Sequence, residues 1–239
     1  MDAKVAIVDE IAAVCLEAAE QWRWIREPLT PGRAQAWLLQ HSLRNLWFSS
    51  ILRPAWMSRC PDQAIVRKTI SQMLEEIVHD PNLGYPHTKL MRELGGHIGL
   101  SEEQFIHAQP TWQTDLWFNV NENLCRTRHW IVGWLATSLE EFVLLEPGFN
   151  VLDDGRWQAD LGLTEKQLYF LTYHQVADME HAGKKVWKPM RSHVTNDEIK
   201  ADVMKGLHTA LQVNKIFYDG VAELGDQLDA QGASIPKPK

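Results

Sequence analysis

Apolar residues recur along this chain at the three- and four-residue spacing of amphipathic α-helices, while the two-residue alternation of strands is nearly absent. A first helix is predicted from Val5 to Trp24. Thr30 followed by Pro31 is typical of the start of a second helix, which would run to a break before Pro54. The same pattern predicts helices over 64–79, over 86–99, over 112–145 as two helices or one kinked helix, over about 165–188, and over about 196–229.

Two later helix starts carry capping boxes, Thr164 with Gln167 and Thr195 with Glu198, and Asp153-Asp154-Gly155 indicates a loop. About seven helices joined by short loops, with no repeat of fixed period, predict a compact all-α bundle. An apolar content of 45% is enough for one domain over residues 1–229, and residues 230–239 are expected to form a frayed tail.

Composition excludes several classes of function. The net charge of −7, with no basic run except the terminal Pro-Lys-Pro-Lys, argues against a nucleic-acid partner. No apolar stretch reaches the ~18 residues of a membrane span, and the acidic start does not look like a secretion signal. We therefore expect a cytoplasmic protein with no membrane partner. The 3 cysteines lack CxxC spacing, so neither a disulfide framework nor a zinc knuckle is expected.

One segment of the predicted helix at 165–188 indicates a metal site. His174, Asp178 and His181 follow the spacing i, i+4, i+7, which places all three on one side of a helix. Two imidazoles and a carboxylate on one face, with open positions, suit a redox-active non-haem iron. The competing interpretation is a solvated helix face in which Asp178 pairs with Lys184 or Lys185.

Other helices offer the ligands that a second metal ion would need. Glu76 lies among apolar residues and is preferred to its neighbour Glu75, because adjacent positions point about 100° apart and only one can face the site. His87 follows a short loop that would return it to the end of the Glu76 helix. His79 is an alternative, since Glu76 and His79 form the i, i+3 pair of ferritin-like proteins.

A further acid lies in the predicted helical region 112–145. Glu141, with Glu140 as the alternative, follows an apolar run in which a buried carboxylate would be costly without a cation. The predicted ligand set thus has three carboxylates and three imidazoles, enough for two metal ions with positions left free. Its members are Glu76, His87, Glu141, His174, Asp178 and His181.

The order acid, histidine, acid, HxxxDxxH in an all-helical chain of this length resembles the haem-oxygenase-like diiron oxidases and oxygenases, relatives of the TenA and PqqC proteins. The resemblance covers roughly residues 30 to 190. Other segments resemble the PqqC-like branch: Arg59-Cys60-Pro61-Asp62, Arg67-Lys68, Gly99-Leu100-Ser101 and Asp178-Met179-Glu180-His181-Ala182-Gly183. PqqC proteins have arginine in place of His174 and histidine in place of Glu76. Both differences add metal ligands, and they favour a metal-dependent oxidase.

The resemblance implies a seven-helix haem-oxygenase-like fold, a homodimer, and a ferrous pair that reacts with O2, with an external electron donor as a further expected partner. Manganese is the alternative metal. It also implies a small substrate, such as a fatty acid, an amine or an amino-acid derivative, that undergoes N-oxygenation, desaturation or carbon–carbon cleavage. His41 and Arg44 are candidate substrate contacts, although a core histidine and a surface arginine are the plainer interpretations. The alternative functions are a metal-free oxidase of the PqqC kind, a hydrolase of the TenA kind, or a non-catalytic helical interaction protein.

Overall fold

The computed structural model describes residues 3–143, 154–182 and 188–236, with the side chains of 3–6, 140–143, 154, 176–182 and 188 outside the description. Within these ranges the regular structure is helical, apart from a single bridge between Asp80 and Tyr85. The helices are α1 Ala3–Ala19, α2 Arg23–Arg26, α3 Pro31–Trp47, α4 Arg53–Met57, α5 Gln63–Ile77, α6 His87–His97, α7 Glu102–Ile106, α8 Trp112–Thr127, α9 Trp130–Val143, α10 Asp154–Leu161, α11 Tyr169–Ala182, α12 Lys188–His193 and α13 Asp197–Ala230. The all-α class is confirmed.

The prediction of about seven helices was too low, because short helices lie where loops were expected. α2, α4 and α12 each span only a few residues, and α7 begins at a capping box formed by Ser101 and Gln104. α10 includes Asp154 and Gly155, which were predicted to lie in a loop. Asp153 and the predicted end of the helical region 112–145 lie outside the described residues.

Local polar residues explain several of the helix starts. Thr30 caps α3 as predicted, since its side chain accepts a hydrogen bond from the Arg33 amide. The long helical region 112–145 divides into α8 and α9 on either side of Arg128. The prediction that Thr195 caps the last helix was wrong by one residue. The cap of α13 is Asn196, whose Oδ1 atom accepts a hydrogen bond from the Ile199 amide at 2.9 Å. Thr164 does bond Gln167, but a turn follows and α11 starts later than predicted.

The predicted break before Pro54 is a change of helical register. A π-helical turn, Phe48–Leu52, connects α3 directly to α4, and the Arg53 amide donates to the Phe48 carbonyl across it. Pro54 then lies at the second position of α4, where the missing amide proton is tolerated. The predicted first helix also differs, since it ends at Ala19 and a separate α2 follows.

α13 packs lengthwise against α3, and this pair organises the core. Gly32 and Gly225 allow the close approach, because a Cβ atom on Gly225 would lie 2.5 Å from the Arg33 Cα atom. Buried rings fill the space beside the two helices: Trp22 stacks on Tyr218 with 4.8 Å between ring centroids. α3 therefore holds a fixed position through its whole length, including the end that reaches the candidate site.

The C-terminal helix ends at Ala230, and the chain continues along the body. Ile235 packs against the core, and the Ser234 carbonyl oxygen lies beside Gly99. Residues 231–236 thus follow the bundle surface. None of the described helices combines the length and the apolar character that crossing a bilayer requires.

An ion network at the start of α3 predicts acid sensitivity. Glu27 pairs with Arg23 at 2.8 Å and with Arg33 at 2.6 Å, and both arginines also reach Asp226. The hydrogen bond from Arg23, aided by Arg33, lowers the pKa of Glu27 from 4.5 to about 2. A lowered carboxyl pKa stabilises the fold above pH 4.5, and this contribution is lost as the pH falls towards 2.

Glu27→Gln is therefore expected to lower the free energy of unfolding at pH 7 by about 1 kcal/mol, since the network is partly exposed. The difference from wild type should shrink as the pH falls from 4.5 towards 2. Urea unfolding monitored by circular dichroism at several pH values measures both effects. Glu20→Gln, at an exposed position of the turn after α1, is the control and should not change the urea midpoint. A difference that persists at low pH would contradict the assignment.

Candidate metal centre

Three of the predicted ligands meet where α5, α6 and α11 pack together. Glu76 on α5, His87 on α6 and His174 on α11 each offer a ligand atom, and these atoms lie within 4.8 Å of one another. They form the one group of this kind found among the described residues. A tight loop returns the chain from α5 to α6, and α6 packs against α11, so residues distant in sequence become neighbours.

His87 lies between two carboxylates. Its Nδ1 atom is 3.2 Å from Glu76 Oε1, and its Nε2 atom is 2.7 Å from Asp80 Oδ2. Burial disfavours a charged imidazole, yet the hydrogen bonds and charges of Glu76 and Asp80 outweigh it and raise the pKa of His87 to about 9. The two ring nitrogens thus face different acids.

His174 is a neutral imidazole whose tautomer is determined by the backbone. Its Nδ1 atom lies 2.8 Å from the Phe170 carbonyl oxygen, which can only accept a hydrogen bond, so Nδ1 carries the proton. Burial lowers the pKa of His174, which keeps the ring uncharged. The Nε2 lone pair is then free, and this atom lies 3.9 Å from Glu76 Oε1.

Glu76 directs one oxygen to the two histidines and the other to α3. Its Oε2 atom accepts a hydrogen bond from Asn45 Nδ2 at 3.0 Å. Burial opposes ionisation, but the hydrogen bond from His87 and the nearby imidazoles hold the pKa of Glu76 well below its usual range. The carboxylate is therefore charged, and Oε1 is the oxygen that faces the centre.

All three side chains fit a metal ion by the same criterion. Each has one polar atom held by another part of the protein and one directed inward: Asn45 holds Glu76, Asp80 holds His87, and the Phe170 carbonyl holds His174. Outer hydrogen bonds of this kind orient metal-binding side chains. One carboxylate and two imidazoles suit ferrous iron, with manganese as the alternative.

The alternative ligands Glu75, on α5, and His79, just after α5, lie away from this centre. Glu75 accepts a hydrogen bond from the Ser71 hydroxyl at 3.1 Å, and His79 is exposed after the helix ends. The side chains of Glu140, Glu141, Asp178 and His181 lie outside the described residues. Their backbones belong to α9 and α11, two helices that pack against each other.

The two candidate substrate contacts both lie on α3. His41 stacks on Trp37, with 4.6 Å between ring centroids, and burial lowers its pKa to about 3. The nearby positive charge of Arg44 also lowers this pKa, whereas the Glu76 carboxylate opposes the shift. Arg44 has no exposed surface and lies 4.0 Å from the ring centre of Phe217, so the expectation of a surface arginine was wrong. Its aromatic surroundings stabilise the buried cation.

Three residues that contribute to the centre were not predicted. Asn45 and Tyr173 have neutral side chains, and a pattern of metal-binding residue types does not include them. Asp80 lies in the segment Asp80-Pro81-Asn82-Leu83-Gly84, whose composition is typical of a helix stop and gives no sign of a role at a metal site. Its position seven residues before His87 gives no periodic signal, because a loop lies between them.

Comparison with known proteins identifies a family and a fold. Residues 35–215 match the model of the family described as iron-containing redox enzyme. Among curated proteins no sequence matches significantly. A domain of unknown function with a heme oxygenase-like fold from Shewanella denitrificans OS217 is similar in structure, with a TM-score of 0.71 and 14% identity over 100% of this chain and 99% of that one.

A CADD-like protein of unknown function from Nostoc punctiforme PCC 73102 is also similar. It has a TM-score of 0.63 and 13% identity over 99% of this chain and 100% of that one. At these identities the structures establish the fold, and the family match covers most of the sequence. The chain has the haem-oxygenase-like fold, and it belongs to the family of iron-containing redox enzymes.

Proposed function

We propose that this protein is a non-haem diiron enzyme that uses O2 to oxidise or oxygenate a small organic substrate. The observation that carries the proposal is the inward-facing group of Glu76, His87 and His174, each held from behind by a separate partner. Membership of the iron-containing redox family supports iron as the metal. Such a group provides about half of the ligands that a two-metal site requires.

The other half of the proposed site comes from α9 and α11. Glu141 is the proposed carboxylate on α9, while Asp178 and His181 follow His174 along α11 at the spacing of one helix face. The continuous helix from Tyr169 to Ala182 supports that spacing, and the packing of α9 against α11 supports a contribution from Glu141.

The protein's residues would prepare the metals for reaction with O2. Ferrous iron, when bound, would supply the electrons for O2 reduction. The charged Glu76 would offset cationic charge, and the neutral His174 would donate its Nε2 lone pair. The buried ring of Trp37 on α3 would exclude water from the substrate side.

The proposed substrates are amines, amino-acid derivatives and fatty acids, and the proposed reactions are N-oxygenation, desaturation and carbon–carbon cleavage. His41 would contact the substrate, because the Glu76 carboxylate is near enough to act on its pKa. Arg44 packs against Phe217 and would act on the substrate through its neighbour His41. We further propose a homodimer, and a reductase or small-molecule donor that returns the irons to the ferrous state.

Anaerobic titration of the metal-free protein with ferrous iron tests the proposal. We expect about two iron ions per chain, as a two-metal site requires, and a transient visible absorption when O2 is admitted. One iron per chain would contradict the diiron assignment, and no specific binding would contradict the metal role altogether. Manganese offered in competition with iron tests the choice of metal.

One observation favours a metal-free alternative. His87 between Glu76 and Asp80 forms a buried ion triad that is electrostatically satisfied without a metal. A PqqC-like oxidase or a TenA-like hydrolase would use such a group for proton transfer, and a purely interacting protein would use it for stability. The iron titration separates these functions from the proposed one, because they require no bound metal.

The adjacent acids on α9 allow a sharp test of the ligand set. Glu141→Gln is expected to lower the iron content to about half, because one of the two metal ions would lose a carboxylate. Glu140→Gln is the matched control and should retain full iron loading. Iron analysis of both variants after anaerobic loading gives the answer. The reverse result would assign Glu140 as the ligand, and two fully loaded variants would exclude both acids.

A further inference from the structure

Asp80 is held rigidly beside the centre by its own loop. It is only 2% exposed, and its Oδ1 atom accepts a hydrogen bond from the Asn82 amide at 2.7 Å. Its backbone carbonyl accepts another from the Gly84 amide at 2.8 Å. Gly84 has a φ of 78°, a conformation that glycine adopts without strain. The loop thus fixes the carboxylate and leaves Oδ2 for partners outside it.

Two donors from different helices meet on Oδ2. The Tyr173 hydroxyl donates to it at 2.5 Å, and His87 Nε2 lies 2.7 Å from it. Both oxygens of the Asp80 carboxyl accept hydrogen bonds, Oδ1 from the Asn82 amide and Oδ2 from the Tyr173 hydroxyl, so the group acts as an acceptor at each oxygen. A carboxylate can only accept, so His87 Nε2 carries a proton. Tyr173 also faces His87 edge-on, with 5.3 Å between ring centroids.

We propose that Asp80 and Tyr173 are positioning residues that keep the proton of His87 on Nε2 and so present Nδ1 to the metal. This inference rests on the proposed function. Tyr173 directly precedes His174 in α11, so one turn of helix supplies a metal-binding histidine and positions another on α6. An imidazole that donates to a carboxylate is a more basic ligand, and its ring is held in one orientation.

Iron affinity in two variants tests this role. Asp80→Asn is expected to weaken ferrous iron binding by about 10- to 100-fold, the usual effect of removing an outer carboxylate partner. Tyr173→Phe, which removes only the hydroxyl, should weaken binding by up to about tenfold. Competition with a coloured chelator under anaerobic conditions measures both. Wild-type affinity in Asp80→Asn would overturn the inference.

Tyr169→Phe is the matched control. Tyr169 lies one turn earlier on α11 and is 46% exposed, and its ring also touches Tyr173. The control should bind iron with wild-type affinity. That result would show that a loss of affinity in Tyr173→Phe comes from the Tyr173 hydroxyl and not from replacing any tyrosine of α11. Equal losses in the Tyr169 and Tyr173 variants would indicate a general effect on α11 and contradict the positioning role.

A second readout separates this inference from the proposed function, since it needs no metal. In the metal-free protein labelled with ¹⁵N-histidine, the His87 Nε2 proton should give a downfield resonance that exchanges slowly with water. Asp80→Asn should remove this resonance, and Tyr173→Phe should shift it. If the wild type binds no iron but shows the resonance, the proposed function fails and the hydrogen-bonded arrangement stands. If the resonance is absent from the wild type, the positioning inference fails whatever the iron content.

Discussion

His174→Ala is expected to lose most of its bound iron. The imidazole offers a lone pair on Nε2, because the Phe170 carbonyl holds the Nδ1 proton, and alanine provides no replacement. Losing one of the few ligands of a metal forfeits several kcal/mol of binding free energy, and 1.4 kcal/mol corresponds to about a tenfold change in affinity. We therefore expect affinity to fall by at least about a hundredfold. Anaerobic ferrous iron titration of the metal-free variant measures the loss.

The control for this prediction is His79→Ala. His79 follows Glu76 closely in the sequence, but its side chain is exposed after the end of α5. Its removal should leave the iron content unchanged. Circular dichroism spectra of both variants check that the helical fold is retained. Full iron loading of a folded His174→Ala protein would refute the assignment of His174, and iron loss in His79→Ala would reopen the ferritin-like alternative.

Gly225→Ala is expected to destabilise the fold strongly. The added Cβ atom would lie 2.5 Å from Arg33 Cα and 2.7 Å from Arg33 N, both of them backbone atoms of α3. Backbone atoms within a helix cannot move aside alone, so α3 and α13 must separate. Overpacking of this kind costs about 3 kcal/mol. Urea unfolding monitored by circular dichroism should show a clearly lower midpoint.

Gly96→Ala is the control for the glycine prediction. Gly96 lies in α6, is exposed, and has no heavy atom within 4 Å of the position that a Cβ atom would take. Alanine should stabilise this helix by roughly 0.5–1 kcal/mol, because it loses less conformational freedom on folding. A Gly225→Ala protein as stable as wild type would show that α3 and α13 are more loosely packed than their geometry indicates.

Much of the centre was predictable because helical residues follow a regular period. Glu76 was preferred to Glu75 from the apolar residues around it, and the structure directs Glu76 inward and Glu75 towards Ser71. His87 was predicted from the shortness of a loop. Asp80 and Asn45 were not predicted, because a residue that supports a metal ligand has no required spacing from it.

The boundaries of the elements were harder to predict than their type. Proline suggests an interruption, yet Pro54 lies in the first turn of a helix that continues from a π-helical turn. Thr195 and Asn196 can both cap a helix, and the choice between them depends on backbone geometry that the sequence does not encode locally. Short helices such as α2 and α7 depend on tertiary packing, which a window of periodic residues does not detect.

The order of the three clustered residues along the chain has a consequence for how the protein matures. Glu76 and His87 belong to consecutive helices, α5 and α6, whereas His174 arrives only after α7 to α10 have been synthesised. A nascent chain that has emerged through α6 presents one carboxylate and one imidazole, too few to retain iron firmly. If iron binds as proposed, its uptake would wait for α11 to dock. The bound metal would then link His174 on α11 to Glu76 and His87, which are much earlier in the chain.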